Sequence, residues 1–258
     1  MPRYALISDI HANLPALEAV LQHIAGQSEV DGTFHLGDLV GYAPWPNETV
    51  ELLRKSEITG VAGNYDSTVG TDYQHCGCKY EDPRQEKLSH LSYGWTRQHV
   101  SDSTKKFLAA LPFRIDLLPN GGHTSGPRVV LVHGTPTLNT LYWTEDRSDE
   151  FCLKMAGHAG LKAGDVIAFG HTHLPWHREI AGIHFVNTGS VGRPKDGDWR
   201  AGYVLLKAGG GPIEVEFVRV PYDLERAVRA IEESALPDDF AHYLRVGGSL
   251  TAAPARLS

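Results

Sequence analysis

The sequence predicts an α/β fold built on a mixed β-sheet in one domain, and three observations carry that expectation. Short apolar runs of strand length alternate with amphipathic helical stretches through the first half of the chain. In the last third, strand-like runs follow one another directly around glycine-bearing turns. Five of the runs end in carboxylate, amide or imidazole residues, the groups that collect where the loops of an α/β sheet converge.

The first strand is Tyr4–Ile7, and Leu14–Ile24 follows as an amphipathic helix. Asn13 suits its N-cap, Pro15 its first turn and Gly26 its stop, while Leu14, Leu17, Val20, Leu21 and Ile24 share one face. Strands are expected at Gly32–Leu36 and Ile58–Ala62, with a helix over Asn47–Lys55 between them. From Ser67 to Pro83 the chain reads as a polar loop, a candidate cap or gate. Helices over Gln85–Gln98 and Ser103–Ala110 lead to a strand at Phe113–Leu118, a turn at Asn120–Pro127 and a strand at Arg128–Val132. A helix near Ser148–Ala159 precedes strands at Val166–Phe169, Trp176–Ile180, Ile183–Val186, Tyr203–Lys207 and Ile213–Val220. The last helix is Leu224–Glu233, and a tail from about 235 to 258, rich in Ala, Gly, Pro and Ser, is read as a partly mobile segment or a lid.

The 258 residues, 41% of them apolar and 21% charged, suit a packed domain spanning 1–258. No apolar run approaches the roughly 20 residues of a membrane span, and no signal peptide is read at the N-terminus. Three cysteines cannot all pair within one chain, which favours a reducing, cytoplasmic setting. A formal charge of −7 without a Lys/Arg run argues against long nucleic acid as partner, while leaving room for a phosphate held through bound divalent ions.

The chemistry-bearing residues are Asp9 and His11, Asp38, Asn64, His133, and His171 with His173. Asp9 and His11, two residues apart, would point to one side of an extended chain. Each histidine alone is more often structural, but as an ordered set these carboxylates, imidazoles and an amide are the ligand types of a two-metal site for manganese, iron or zinc. Asp38, the only candidate from its own strand end, is the choice for a bridging carboxylate. Cys76 and Cys78 with His75 would make half a zinc site, but no second cysteine pair follows, so a small loop with buried thiols is preferred. Trp143, Trp176 and Trp199 read as core before pocket, and Asp146 and Arg147 as solvated.

Asp9-Ile10-His11, Gly37-Asp38, Gly63-Asn64-Tyr65-Asp66, His133-Gly134 and Gly170-His171-Thr172-His173 resemble, in order, the five motifs of calcineurin-like metallophosphoesterases. The resemblance runs from about residue 4 to residue 190. Asn187-Thr188-Gly189-Ser190 resembles a stretch of the family's smaller prokaryotic phosphodiesterase branch, with Thr188 in place of proline. It implies a four-layer α-β-β-α sandwich of two packed mixed sheets flanked by helices. It also implies that Asp9, His11, Asp38 and His173 hold one divalent ion, and Asp38, Asn64, His133 and His171 a second. Manganese is the first expectation, with iron, nickel or zinc as alternatives.

The implied reaction is hydrolysis of a small phosphate ester, a phosphodiester by preference, by a hydroxide bridging the two ions. Alternatives are a phosphomonoesterase or protein phosphatase, or a catalytically silent binding scaffold. In the third motif the family's usual histidine, held to assist the phosphoryl group, is Tyr65, a weaker proton donor. Asp66 is expected to orient an imidazole ligand. Asn13 is expected as a helix cap or a phosphate contact. Arg193 is a candidate phosphate contact, with solvent exposure its commoner alternative.

Overall fold

The computed structural model describes residues 2–78, 82–118 and 126–248. Among them are ten strands and eight helices, and every expected strand forms. The first sheet takes β1 (Arg3–Ile7), β2 (Gly32–His35), β3 (Thr59–Gly60), β9 (Ala201–Lys207) and β10 (Glu214–Val220) in the order β10-β9-β1-β2-β3. The second takes β4 (Ile115–Leu117), β5 (Val129–Leu131), β6 (Val166–Phe169), β7 (Trp176–Ile180) and β8 (Ile183–Asn187) in the order β4-β5-β6-β8-β7. Each sheet is mixed: β1-β2-β3 and β5-β6-β8 run parallel, while β9, β10, β4 and β7 join antiparallel.

Both faces of the central strands are covered, and their period-two side chains sort into three apolar layers. Leu6, Leu36, Val129, Leu131, Val166, Ala168, Val204 and Leu206 meet between the sheets. The alternate residues Ala5, Ile7, Tyr203 and Leu205 face an outer layer of helices. Those helices are α1 (Leu14–Ala25), α2 (Pro46–Lys55), α3 (Asn64–Gly70), α4 (Pro83–His99), α5 (Asp102–Ala109), α7 (Leu224–Glu232) and α8 (Asp239–Arg245). On the far face, Val130, Ile167, Phe169 and Phe185 pack against α6 (Asp149–Ala159) through Cys152, Met155 and Ala156. The result is the helix–sheet–sheet–helix sandwich expected of the family. Each buried Leu, Ile, Val or Phe in these layers contributes about 1.5–3 kcal/mol of transfer free energy.

Trp143 and Trp176 belong to the outer layer of the second sheet, Trp143 stacking on Phe169 at 4.5 Å, so they are core as read. Trp199 lies edge-on to Tyr222 at 5.7 Å.

Two stretches depart from expectation. Residues 64–70 form α3 where a polar loop was expected from Ser67, and Pro83 opens α4 as a first-turn proline instead of closing a loop. Of the expected gate, 71–78 remains non-helical, and 79–81 lie outside the described residues. The tail is not featureless, because α8 buries Phe240, Ala241, Tyr243 and Leu244 against the helical layer; residues 249–258 lie outside the described residues. The turn expected over 120–127 falls outside them too, except at 126 and 127.

Candidate metal centre and active site

The polar residues that follow β1, β2, β5 and β6 all collect at one end of the sandwich. β1 stops at Ile7, so Asp9 and His11 do not face one way along an extended strand as expected. Instead Asp9, His11 and Ala12 have φ of 52°, 49° and 54°, and Asp38, His171 and His173 have 54°, 66° and 62°. Five of the seven expected ligands therefore hold a left-handed conformation that non-glycine residues rarely adopt, at a cost of about 1–3 kcal/mol each. The surrounding hydrogen bonds impose it. The Asp9, His11 and Ala12 amides donate to Gly37, Asp38 and Leu39 carbonyls at 3.0, 3.0 and 2.8 Å.

Adjacent glycines provide clearance. A Cβ on Gly63 would lie 2.1 Å from Asp38 Oδ1, and one on Gly170 would lie 2.3 Å from Asp9 Oδ2.

Two clusters result, Asp9/His11/His173 and Asp38/His133/His171, each with ligand atoms within 4.8 Å of one another and all buried. His11 Nε2 stands 3.1 Å from His173 Nε2, and His173 Nε2 stands 3.2 Å from Asp9 Oδ1. In the second cluster His133 Nε2 lies 3.2 Å from His171 Nδ1, 3.2 Å from Asn64 Oδ1 and 3.5 Å from Asp38 Oδ2. Asp38 Oδ2 is also 3.8 Å from His11 Nε2, so this carboxylate stands between the clusters. Asn64 reaches the second cluster from the first turn of α3, not from a strand, and its amide nitrogen is turned away onto Cys76 O and Cys78 Sγ.

Backbone carbonyls fix the imidazoles. His11 Nδ1 donates to Val40 O at 3.1 Å, His133 Nδ1 to Leu36 O at 2.7 Å and His173 Nδ1 to Arg193 O at 2.5 Å. Asp66 does not take the expected part. Its carboxylate accepts the Leu39 and Gly63 amides at 2.8 and 2.9 Å, tying the α3 N-terminus to the loop after Asp38.

These contacts test the fit of a metal. With both Nδ1 protons directed at carbonyls, His11 and His173 present two lone pairs to each other at 3.1 Å, which requires a proton or a cation between them. Burial pulls both imidazoles down, disfavouring the proton. Asp9 Oδ1, which faces His173, is buried without a hydrogen-bond partner among the described residues. Donor atoms about 2.1 Å from one ion stand about 3.0–3.5 Å apart, the spacing found here. Burial is the largest single influence on His133 and pulls it down, but Asp38, Asp9 and the Leu36 carbonyl together raise it to about 9, so this cluster too attracts positive charge. The residues fit divalent metal.

A cavity of about 690 Å³ opens over both clusters. Tyr65 lines it, but its hydroxyl is turned to Ser89 Oγ at 3.2 Å, and burial pushes its pKa well above the ordinary value. Arg193 lines it as well and is only 8% exposed, contrary to the commoner expectation of a solvated side chain. Asn13 does not line it. Its oxygen accepts the Ala16 amide at 3.3 Å and its nitrogen donates to Gly192 O at 2.9 Å, so its role is structural and the expected phosphate contact is withdrawn. Lys195, Tyr142 and Arg147 also line the cavity. Sequence reasoning passed over Lys195 and Tyr142 and took Arg147 as solvated; a second cation two residues after Arg193 in a Gly/Pro-flanked loop was the available signal. Cys76 is buried, and Cys78, half-buried at the cavity wall, accepts from the Asn64 amide nitrogen at 3.0 Å.

The family model described as Calcineurin-like phosphoesterase superfamily domain matches residues 3–210. Protein MJ0912 of Methanocaldococcus jannaschii is 31% identical over 94% of this chain and 97% of its own length. The phosphodiesterase YfcE of Escherichia coli is 27% identical over 80% of this chain and 88% of its own. Among solved structures, a metallophosphoesterase from Sphaerobacter thermophilus superposes with a TM-score of 0.71 at 28% identity, covering 95% of this chain and 99% of that one. Hypothetical protein PH1004 from Pyrococcus horikoshii shares the fold, with a TM-score of 0.80 at 20% identity over 96% and 99% of the two chains. The strand-end motifs lie inside the matched span, and the chain belongs to the calcineurin-like phosphoesterase superfamily.

Proposed function

We propose that the protein is a dinuclear metal-dependent phosphodiesterase, with Asp9, His11, Asp38 and His173 holding one divalent ion and Asp38, Asn64, His133 and His171 the other. The observation that carries this reading is the facing of His11 and His173 lone pairs at 3.1 Å, beside an unpartnered Asp9 oxygen. Divalent ions held there supply a water acidic enough to ionise near neutral pH and positive charge for the phosphoryl oxygens. Asp38, between the clusters, is the shared ligand, and the Tyr65 amide donating to its Oδ1 at 2.9 Å fixes its tilt.

The carbonyls of Val40, Leu36 and Arg193 keep the protons of His11, His133 and His173 on Nδ1, so that Nε2 faces the site. Tyr65 supplies no acid comparable to an imidazolium. Its phenol is engaged with Ser89 and holds its proton, so esters whose leaving group departs unprotonated are the better substrates. YfcE, by name a phosphodiesterase, agrees with the diester preference. Manganese is the first choice of metal for a carboxylate, imidazole and amide set, with iron, nickel or zinc accommodated.

The test is hydrolysis of bis-p-nitrophenyl phosphate and p-nitrophenyl phosphate by stripped protein refilled with manganese. The diester is expected to turn over faster, and Asp38→Ala to lower the rate by at least about a hundredfold, the scale of losing a transition-state contact. Two ions bound with no turnover under manganese, iron, nickel or zinc would sink the hydrolase reading in favour of a binding scaffold.

A further inference from the structure

The cavity over the metal centre carries more positive charge than a single phosphodiester group needs. Arg193 is 8% exposed, yet none of its guanidinium nitrogens makes a hydrogen bond or an ion pair among the described residues, and Nε is buried without a partner. Stacking alone holds it, with Cζ 4.1 Å from the Tyr42 ring centroid and 5.5 Å from that of Tyr243. An arginine cannot shed its proton to relieve this, and a buried, unpaired charge is unfavourable. Such a group is held ready for an anion.

Lys195 lines the same cavity and has no acid partner among the described residues. Arg147, from a separate loop, adds a third cation. Its Nε is buried and has no partner among the described residues, and one terminal nitrogen donates to Tyr142 O at 3.2 Å. The carboxylates on the cavity wall are Asp38, which belongs to the metal centre, and Asp82, whose side chain caps α4.

We propose that the cavity takes a small molecule bearing a second phosphoryl group besides the scissile one, and that Arg193 and Lys195, with Arg147 beside them, form the subsite for that second group. This rests on reading the metal centre as a phosphoesterase. Two divalent ions already offset the charge of the scissile diester, so the three side-chain cations answer to another anion. At about 690 Å³ the cavity has room for a molecule of nucleoside bisphosphate size.

The test uses a matched pair of chromogenic diesters, the p-nitrophenyl ester of thymidine 5′-phosphate with and without a 3′-phosphate, on manganese-loaded enzyme. Charge-assisted hydrogen bonds to the added phosphate are expected to raise kcat/KM by at least about tenfold, mainly through KM. Arg193→Gln and Lys195→Gln are each expected to bring that ratio below about threefold, and Arg193→Lys to restore most of it. Equal kcat/KM for the two esters in the wild type would overturn the proposal. So would an unchanged ratio in both variants with the two rates falling together, since the cations would then serve the scissile group. Lys195 is half-buried, so its variant keeps the test open if Arg193→Gln fails to fold.

Calorimetry of adenosine 3′,5′-bisphosphate against adenosine 5′-phosphate separates this proposal from the hydrolase reading. If neither ester turns over, the hydrolase reading falls, and about tenfold tighter binding of the bisphosphate still upholds the second-phosphate site. Equal affinities abolish it.

Discussion

His35, at the carboxyl end of β2, has no exposed surface and, among the described residues, no hydrogen-bond partner for either ring nitrogen. Burial pulls its pKa to about 3 from an ordinary 6.5. The folded protein thus keeps this ring neutral over a range where the unfolded chain takes up a proton. The folded pKa is the lower one, so stability is intact above about pH 6.5 and is lost as pH falls towards 3. At pH 5 the loss amounts to about 2 kcal/mol relative to pH 8. Denaturant titration of wild type and His35→Met at both pH values should show the wild type losing about 2 kcal/mol more than the variant. Equal losses would assign the acid sensitivity to other groups. Asp66 is a second buried group: burial and Asp38 push its carboxyl up to about 7, against the pull of the two amides it accepts at the turn that aims Asp38.

The loops after β1 and β6 share a device. Each bends the chain through left-handed, non-glycine residues at the ligand positions, and the β6 loop sets Gly170 where the two loops touch. At Gly170 the requirement is space and not φ, because an added Cβ would meet Ser8 Oγ at 2.0 Å and Asp9 Oδ2 at 2.3 Å. Gly170→Ala is therefore expected to push Asp9 off its position, although both sheets still form. Activity on bis-p-nitrophenyl phosphate should drop by at least about a hundredfold, metal content should fall below two ions per chain, and the far-UV spectrum should be kept. Full metal occupancy with unchanged turnover would show that the β1 and β6 loops can part without harm.

At the scale of the whole molecule, the candidate metal centre is a clasp between the sheets. Asp9, His11 and Asp38 come from the loops of the first, and His133, His171 and His173 from those of the second. Bringing these buried acceptors together without a cation works against the packing of Leu6 and Leu36 on Leu131 and Ala168 just behind them. Binding divalent ions to the folded state alone contributes about 4 kcal/mol at a thousandfold excess over Kd. For a domain of this size, chelation should therefore lower the thermal midpoint by about 8–16 °C, and manganese should restore it. A midpoint indifferent to chelator, with stripping verified by metal analysis, would mean that the clasp contributes nothing to stability.

The sequence by itself determined the strands, the two-sheet architecture through its family resemblance, and the identity of the seven ligand candidates. These were legible because short continuous apolar runs mark strands buried on both faces, and because carboxylate, amide and imidazole groups recur in order at their ends. Conformation and orientation were decided only by tertiary structure. Asp9 and His11 converge through left-handed turns held by the β2 loop, which no local pattern encodes. Helix α3 follows directly on Gly63, and α8 is fixed by burying Phe240 and Leu244, with Phe240 edge-on to the distant Tyr42; neither carries a strong local signal. Whether Arg193 meets water or a cavity depended on Tyr42 and Tyr243, which lie far from it in sequence and flank it in space. Local chemistry sets which groups a chain can offer, whereas long-range packing sets which of them are dry, aimed and unpaired.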